Sequence, residues 1–129
     1  MSDTDECVFC EIITGRRDAT VLFESEGYVC FLDAYPVNPG HALVVPQHHV
    51  QRLEDIDWAG LTPALKRAHQ LLIERFDPDA TNIGINNGRA AGQTIQHLHW
   101  HIIPRYKDDI EDPTGGVRGV IPSERIYEP

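Results

Sequence analysis

Three histidines alternate with apolar residues in one short segment, residues 97–101, which reads His-Leu-His-Trp-His and continues into Ile-Ile-Pro. Successive side chains of a β-strand point to opposite faces, so the pattern predicts a strand from about Ile95 to Pro104 with His97, His99 and His101 on one face. Imidazole transfers protons, attacks electrophiles and binds metals near neutral pH. The row of histidines therefore predicts a site of chemistry.

The spacing of the three histidines limits what a metal could do there. Residues two apart on a strand are separated by roughly 6.8 Å, and residues four apart by roughly 13.6 Å. A zinc–nitrogen bond is only about 2.0–2.1 Å long, so two neighbouring histidines could share an ion and all three could not. The row is therefore expected to divide into different roles.

The central histidine, His99, suits a nucleophile because an imidazole lies on either side of it. One ring nitrogen can attack phosphorus while a backbone carbonyl holds the proton of the other and fixes the tautomer. His101 is then placed to give a proton to the leaving group. The alternative is that two of these histidines border the core and the third lies at the surface.

A loop with glycines precedes the histidine segment and carries neutral polar side chains. Gly88 and Gly92 permit close approach of the backbone, and Asn86, Gln93 and Thr94 offer hydrogen-bond donors. Amides and neutral donors can bind phosphate without a Walker motif, and this chain has no G-K-[ST] sequence. The loop is a candidate phosphate site, although Asn86 and Thr94 taken singly are typical turn residues.

Two of the three cysteines, Cys7 and Cys10, form a C-x2-C pair. In a chain without a disulfide framework this spacing favours metal binding over redox chemistry, with a reduced, metal-free pair as the alternative. Cys30 lies in a strand-like run and is interpreted as a buried apolar residue.

Composition excludes several functional classes. The net charge of −9 argues against nucleic-acid binding, which depends on lysine and arginine. No apolar run approaches the roughly 20 residues that span a bilayer, so no membrane partner is expected. The acidic N-terminus lacks the features of a signal peptide, which predicts a cytoplasmic location.

The remaining patterns predict an α+β domain with an antiparallel sheet of about five strands. The predicted elements, in order, are a short helix at Cys7–Ile13, strands at Thr20–Glu24, Tyr28–Asp33 and His41–Val45, one main helix, and strands at Asn82–Asn86 and Ile95–Pro104. Pro46 is expected to end the third strand. The main helix either starts at Trp58 and contains Pro63, or begins with Thr62 as its N-cap.

The motif His97 to Ile103 resembles the signature of the histidine triad (HIT) superfamily of nucleotide hydrolases and transferases, as found in bacterial and archaeal proteins. Other segments resemble landmarks of that family in the same order, namely Phe31–Asp33, Asn38–His41, Leu43–Pro46, Asn86–Asn87 and Ala91–Thr94. The resemblance divides the chain into a flexible N-terminus at residues 1–6, a HIT domain at residues 7–105, and an irregular C-terminal tail at residues 106–129. The tail is expected to pack on the domain or on a dimer partner.

The resemblance implies an enzyme in which His99 attacks the α-phosphate of a nucleotide and forms a nucleotidyl-histidine intermediate, without a catalytic metal. It places His101 near the leaving group and His41 close to the site. The implied substrate contacts are Asn86, Gln93 and Thr94 with phosphate, Asp33 with ribose, and Phe9, Phe31 and Leu32 with a purine base. A homodimer is also implied.

The resemblance also implies a role for the cysteine pair in binding a metal. Cys7, Cys10, His49 and His97 match positions that hold a structural zinc ion in some of them, which would leave His99 and His101 free for chemistry.

The sequence does not decide between several possible substrates. The tail resembles those of diadenosine-polyphosphate hydrolase-like proteins, and Arg118 or Arg125 could contact a second set of phosphates. The alternatives are a hydrolase of nucleoside phosphoramidates such as AMP-amines, and a purine-nucleotide-binding regulatory module with little turnover.

Overall fold

Five antiparallel strands form one open sheet in the order β1-β2-β3-β5-β4 in the computed structural model, which describes residues 6–129. The elements are α1 (Val8–Ile13), β1 (Val21–Ser25), β2 (Tyr28–Leu32), β3 (Ala42–Pro46), α2 (Trp58–Phe76), β4 (Ala80–Ile85) and β5 (Trp100–Arg105). This architecture confirms the predicted α+β fold with one main helix and a short N-terminal helix. Of the predicted flexible N-terminus, residues 1–5 lie outside the described residues.

The two faces of the sheet are buried against different helices. On one face, Cys30, Val44 and Trp100 pack against the apolar stripe of α2. On the other face, Phe31 and Leu43 belong to a separate cluster with α1. Because β2 and β3 are buried on both faces, they form a rigid centre for the sheet, and α1 is held against the face that does not carry α2.

Helix α2 is continuous from Trp58, which decides between the two predicted starts. The side chain of Asp57 caps it by accepting a hydrogen bond from the N–H of Ala59. Pro63 lies within the second turn and removes only one backbone bond. Gly60 lets the helix touch the β1–β2 turn, because a Cβ there would collide with the carbonyl oxygen of Glu26.

All five strands differ from their predicted bounds, β1 to β4 by one or two residues and β5 by five residues at its start. The last strand begins at Trp100 rather than near Ile95, because the N–H of Leu98 donates to the carbonyl of Val50 at 2.7 Å instead of to a neighbouring strand. His97 and His99 therefore precede β5. Pro46, expected to end β3, is its last paired residue, opposite Tyr28.

The C-terminal tail is stabilised by hydrogen bonds between its own residues. It contains two 3-10 turns, Gly116–Val120 and Pro122–Glu124, which the sequence analysis does not predict. Arg118 donates to the carbonyl of Glu124 at 2.7 Å, and Arg125 donates to the carbonyl of Thr114 at 2.5 Å. Among the helices of residues 6–129, none is long and apolar enough to cross a membrane.

Candidate active site

His97 is completely buried beneath α1 and joins three parts of the chain. Its Nε2 donates to the carbonyl of Pro46 at 2.8 Å, which leaves Nδ1 unprotonated. That nitrogen lies 3.4 Å from Sγ of Cys7 and 3.5 Å from Sγ of Cys10. Sγ of Cys10 lies 3.4 Å from Nδ1 of His49. The four side chains predicted as zinc ligands are therefore brought together.

The geometry of this cluster fits a tetrahedral zinc ion. Zinc–sulfur bonds of about 2.3 Å and zinc–nitrogen bonds of about 2.0–2.1 Å place tetrahedral sulfur and nitrogen ligands about 3.6 Å apart. The sulfur–nitrogen separations of 3.4–3.5 Å are close to that value, and all four ligand atoms lie within 4.8 Å of one another. The bond from His97 to the Pro46 carbonyl is also the kind that orients histidine ligands.

His99 presents one nitrogen for chemistry. Its Nδ1 donates to the backbone carbonyl of His97 at 2.9 Å, so its Nε2 carries a lone pair. The ring is largely buried and packs edge-to-face with Phe9 at a centroid distance of 5.1 Å. The imidazole is thereby held in one tautomer and one orientation, which are the requirements for a nucleophilic histidine.

A second pair of histidines, His41 and His101, forms a directed chain of hydrogen bonds beside His99. The N–H of Val37 donates to Nδ1 of His41 at 3.0 Å, so His41 carries its proton on Nε2. That nitrogen lies 3.0 Å from Nδ1 of His101 and 3.6 Å from a carboxylate oxygen of Asp33. It therefore donates to His101, whose own proton then resides on Nε2.

Burial keeps these imidazoles neutral near pH 7. It lowers the pKa of His97 and that of His101 to about 4. Burial likewise lowers the pKa of His99 and that of His41, although the nearby Asp33 carboxylate opposes the shift in both. A neutral His99 keeps its Nε2 lone pair available for attack.

A cleft of about 820 Å³ opens between α1 and the histidine segment, and we call it the α1 cleft. His99 and His101 lie in its wall. It also contains most of the side chains predicted to contact a substrate, namely Phe9, Phe31, Leu32, Asp33, Asn86 and Thr94. The cleft is apolar near the two phenylalanines and polar near Asp33.

Gln93, also predicted to contact phosphate, is held by the loop itself. Its Oε1 accepts from the N–H of Gly88 at 2.8 Å, and its Nε2 donates to the carbonyls of Gln51 and Ile95 at 3.0 and 3.1 Å. Both amide hydrogens are thus in use, so a contact with phosphate would require one of these bonds to be exchanged. Thr94 is exposed beside it and free to face the cleft.

A second cavity of about 590 Å³ lies on the other side of His101, under the C-terminal tail, and we call it the tail cavity. Val117 and Val120 of the tail line it together with Ile103 of β5. His101 and Asn86 border both the tail cavity and the α1 cleft, so the two spaces meet at the histidine segment.

Several site groups could not be found from sequence. The N–H of Val37 and the carbonyl of Pro46 fix the histidine tautomers, but backbone groups leave no trace in residue type. Gly84 lies directly opposite His101 across the β4–β5 ladder, and only the strand register reveals this. The apolar residues Val117 and Val120 were the one available signal for the tail cavity.

Comparison with known proteins places this geometry in a family. The model of the HIT domain matches residues 14–108. An uncharacterized HIT-like protein of Methanocaldococcus jannaschii is 42% identical over 108 residues, covering 81% of this chain and 83% of that protein. Adenylylsulfatase HINT3 of Arabidopsis thaliana is 36% identical over 81% of this chain, which spans 55% of that longer protein.

Solved structures agree with the sequence comparisons. A zinc-bound histidine triad family protein from Mycobacterium smegmatis superposes with a TM-score of 0.76 at 35% identity, covering 84% of this chain and 81% of that one. A HIT family protein from Bacillus subtilis gives a TM-score of 0.75 at 33% identity, covering 81% and 76%. The chain belongs to the histidine triad (HIT) family.

Proposed function

We propose that this protein is a nucleotidyl hydrolase or transferase that cleaves adenosine nucleotides at the α-phosphate through a nucleotidyl-His99 intermediate. The observation that carries the proposal is the bond from Nδ1 of His99 to the carbonyl of His97 at 2.9 Å, which leaves Nε2 as a nucleophile at the α1 cleft. The relative named adenylylsulfatase supports adenylyl chemistry within the family.

The α1 cleft suits the nucleoside half of the substrate. We assign the purine base to the apolar end at Phe9, Phe31 and Leu32, and the ribose to Asp33. The α-phosphate then lies between His99 and the polar side chains of Asn86 and Thr94, which have no side-chain hydrogen bonds to other described residues. The histidines and these neutral donors stabilise the charge of the transition state in place of a catalytic metal.

Zinc is proposed as a structural cofactor held by Cys7, Cys10, His49 and His97. The cluster fits the ion, and a zinc-bound relative shares the fold. All four positions are filled by protein, so the ion would anchor α1 to the segment that carries His99 rather than bind substrate.

The test of the proposed function is intact-protein mass spectrometry during turnover. Wild-type protein is mixed briefly with an adenosine phosphoramidate and, separately, with diadenosine tetraphosphate, while AMP release is followed. We expect an AMP adduct on the wild type. His99→Ala should lose the adduct and at least about 10³-fold in rate, since covalent catalysis is lost. His48→Ala, which alters an exposed histidine, is the matched control and should retain the activity.

Two outcomes would count against the proposal. If the wild type binds AMP tightly but turns over neither compound, the protein is a nucleotide-binding module. If His99→Ala retains activity, the nucleophile is another group.

A further inference from the structure

The two cysteines of the proposed zinc site lie in a geometry that also permits a bond between them. Cys7 is the N-cap of α1, and Cys10 is the third residue of that helix. The N–H of Cys10 donates to Sγ of Cys7 at 3.4 Å. The Sγ atoms of Cys7 and Cys10 lie 3.4 and 3.5 Å from Nδ1 of His97. The two side chains therefore converge, whereas cysteines whose side chains point apart cannot be bridged.

The distances between these cysteines are compatible with a disulfide. All ligand atoms of the cluster lie within 4.8 Å of one another, so the two Sγ atoms are no farther apart than that. The N–H of Glu11 donates to the carbonyl of Cys7 at 3.0 Å, which closes a helical turn around the pair. Helix geometry puts Cα atoms three residues apart at about 5 Å, within the range of about 4.4–6.8 Å that a disulfide accepts. Closure therefore needs the sulfur atoms to approach by less than about 3 Å.

All three cysteines of the chain lie in its described part, and only this pair can be both reached and bridged. Cys7 and Cys10 are 7% and 8% exposed, whereas Cys30 is 0% exposed. Cys30 also belongs to the core cluster on the face of the sheet that carries α2. A small oxidant can therefore meet the sulfur atoms of the pair, and each has the other as its partner.

Metal binding and oxidation use the same form of sulfur at this pair. Zinc binds cysteine as the thiolate. The thiolate is also the form that attacks a peroxide. A zinc-loaded cluster thus keeps both sulfur atoms in the form that a peroxide oxidises.

We propose that Cys7 and Cys10 are a peroxide-sensitive modification site, at which oxidation to an intrachain disulfide releases zinc and detaches α1 from the histidine segment. The proposal rests on the structural zinc ion proposed above and not on the identity of the substrate. The disulfide and the metal exclude each other, because both need the same two sulfur atoms. Only His49 and His97 would remain as ligands after oxidation.

Hydrogen peroxide balances the step as the oxidant. One thiolate attacks a peroxide oxygen, the oxygen–oxygen bond breaks, and the sulfur becomes a sulfenic acid while hydroxide leaves. The second thiolate attacks that sulfur, forms the sulfur–sulfur bond and expels a second hydroxide. Each sulfur gives up one electron and the peroxide takes two. Two protons from solvent convert the two hydroxides to water.

Helix α1 carries part of the wall of the α1 cleft, so the modification reaches the candidate active site. Phe9 stands between the two cysteines in the sequence, and its ring packs against those of Phe31, His97 and His99 at centroid distances of 5.5, 5.9 and 5.1 Å. The cysteine contacts with His97 join this helix to the histidine segment. A disulfide within the first turn of α1 replaces none of these contacts. Oxidation should therefore loosen Phe9 and the apolar end of the α1 cleft.

The experiment uses Cys30→Ala protein loaded with zinc, so that the pair supplies the only thiols. After treatment with hydrogen peroxide we expect the loss of both thiols, the release of the zinc, and a decrease in mass of about 2 Da. The decrease should lie on the tryptic peptide that ends at Arg16, which contains both cysteines. Dithiothreitol followed by zinc should restore the starting state. The wild type should respond in the same way and keep the thiol of Cys30.

The Kd for AMP measures the effect on the α1 cleft. We expect it to rise at least about 10-fold on oxidation and to return on reduction with zinc, since an aromatic contact with a base has this effect on affinity. The matched control is Cys10→Ser in the Cys30→Ala background. It keeps one thiol of the pair without a partner, and it should show neither the decrease of about 2 Da nor a change in the Kd with peroxide.

The outcomes separate this proposal from the proposed function. Mass gains of about 16 or 32 Da without the decrease would show separate oxidation of the sulfur atoms and would overturn the disulfide. Zinc retained in the oxidised protein, or a Kd for AMP that oxidation leaves unchanged, would overturn the release of α1. If the reduced, zinc-loaded protein does not bind AMP, the proposed function fails, while the mass, thiol and zinc measurements still decide the modification.

Discussion

His97 belongs to the proposed zinc site and also orients the proposed nucleophile, His99. Its side chain contacts Cys7 and Cys10, while its backbone carbonyl accepts a hydrogen bond from Nδ1 of His99. A displacement of His97 would therefore alter the orientation of His99 directly. The Cys7, Cys10, His49 and His97 cluster and the imidazole of His99 are coupled through this single residue.

Removing one cysteine of the cluster should abolish zinc binding. We expect wild-type protein, purified without a histidine tag, to contain about one zinc ion per chain, and Cys10→Ala to contain almost none. Burial raises the pKa of the Cys10 thiol to about 11, so zinc, which binds the thiolate, should release protons on binding. Metal analysis and thermal unfolding with and without chelator provide the measurement.

The control for this prediction is the third cysteine. Cys30 is buried in the core on the opposite face of the sheet, and Cys30→Ala should keep its zinc. At free zinc about 100-fold above Kd, the bound ion stabilises the wild type by about 2.7 kcal/mol. Equal metal content in all three proteins, or none in the wild type, would contradict the assignment.

At the residue scale, the sequence predicted which side chains gather and could not predict how they bond. The alternation of histidines and the C-x2-C spacing pointed to the residues of both clusters. The tautomers depend on the carbonyls of Pro46 and His97 and on the N–H of Val37. These groups occur in every residue type, so only the three-dimensional structure reveals them.

At the scale of elements, helix α2 lies directly against the β1–β2 turn because Gly60 has no side chain. Gly60 faces the carbonyl of Glu26 so closely that a Cβ there would overlap with it. Glu26 has a positive φ of 50° in a tight turn, so the backbone there has little freedom to move away.

Gly60→Ala should therefore destabilise the protein despite the higher helix propensity of alanine. That propensity would add about 1 kcal/mol in an open helix, whereas the collision should produce a net loss of about 1–3 kcal/mol. Urea unfolding measures the difference. Thr62→Ala, at an exposed position of the same helix, is the control and should change stability by less than about 0.5 kcal/mol. An increase in stability for Gly60→Ala would contradict the prediction and show that the β1–β2 turn moves to accommodate the added methyl group.

The elements were largely predictable because their apolar periods are clear. The stripe that runs from Leu61 to Phe76 identified α2, but Pro63 left its start open, because Thr62 and Asp57 are both good caps. The predicted start of β5 was wrong because the alternation of histidines and apolar residues extends back to His97. The N–H of Leu98 nevertheless donates to the carbonyl of Val50 and not to a neighbouring strand. The periodicity of apolar residues indicates which face of an element is buried. It does not indicate which backbone groups are hydrogen-bonded to each other.

At the scale of the whole molecule, strand β4 ends the sheet with one side of its backbone unpaired among the described residues. Ile83 on this strand is 43% exposed and lies opposite Ile102, on the face that carries α2. Ile73 of α2 is 41% exposed. An apolar open edge of this kind favours pairing with a second copy of the chain.

We expect a homodimer in solution that depends on this edge. Ile83→Lys should give monomers at protein concentrations where the wild type is dimeric, because it places a charge in the contact. Light scattering after size exclusion measures the mass. Val21→Lys alters an exposed residue on β1, at the opposite edge of the sheet, and should remain a dimer. A monomeric wild type, or equal masses for both variants, would contradict the prediction.

The C-terminal tail is stabilised by bonds between its own residues, and this affects how the molecule can change during evolution. Arg125 holds Asp112 and Thr114, and Gly115 leaves room for the carbonyl of Arg125, so the segment keeps its shape by its own bonds. The segment also lies beyond residues 14–108, which the family shares. The tail can therefore be exchanged between related proteins while the bonds that orient His97, His99 and His101 stay the same.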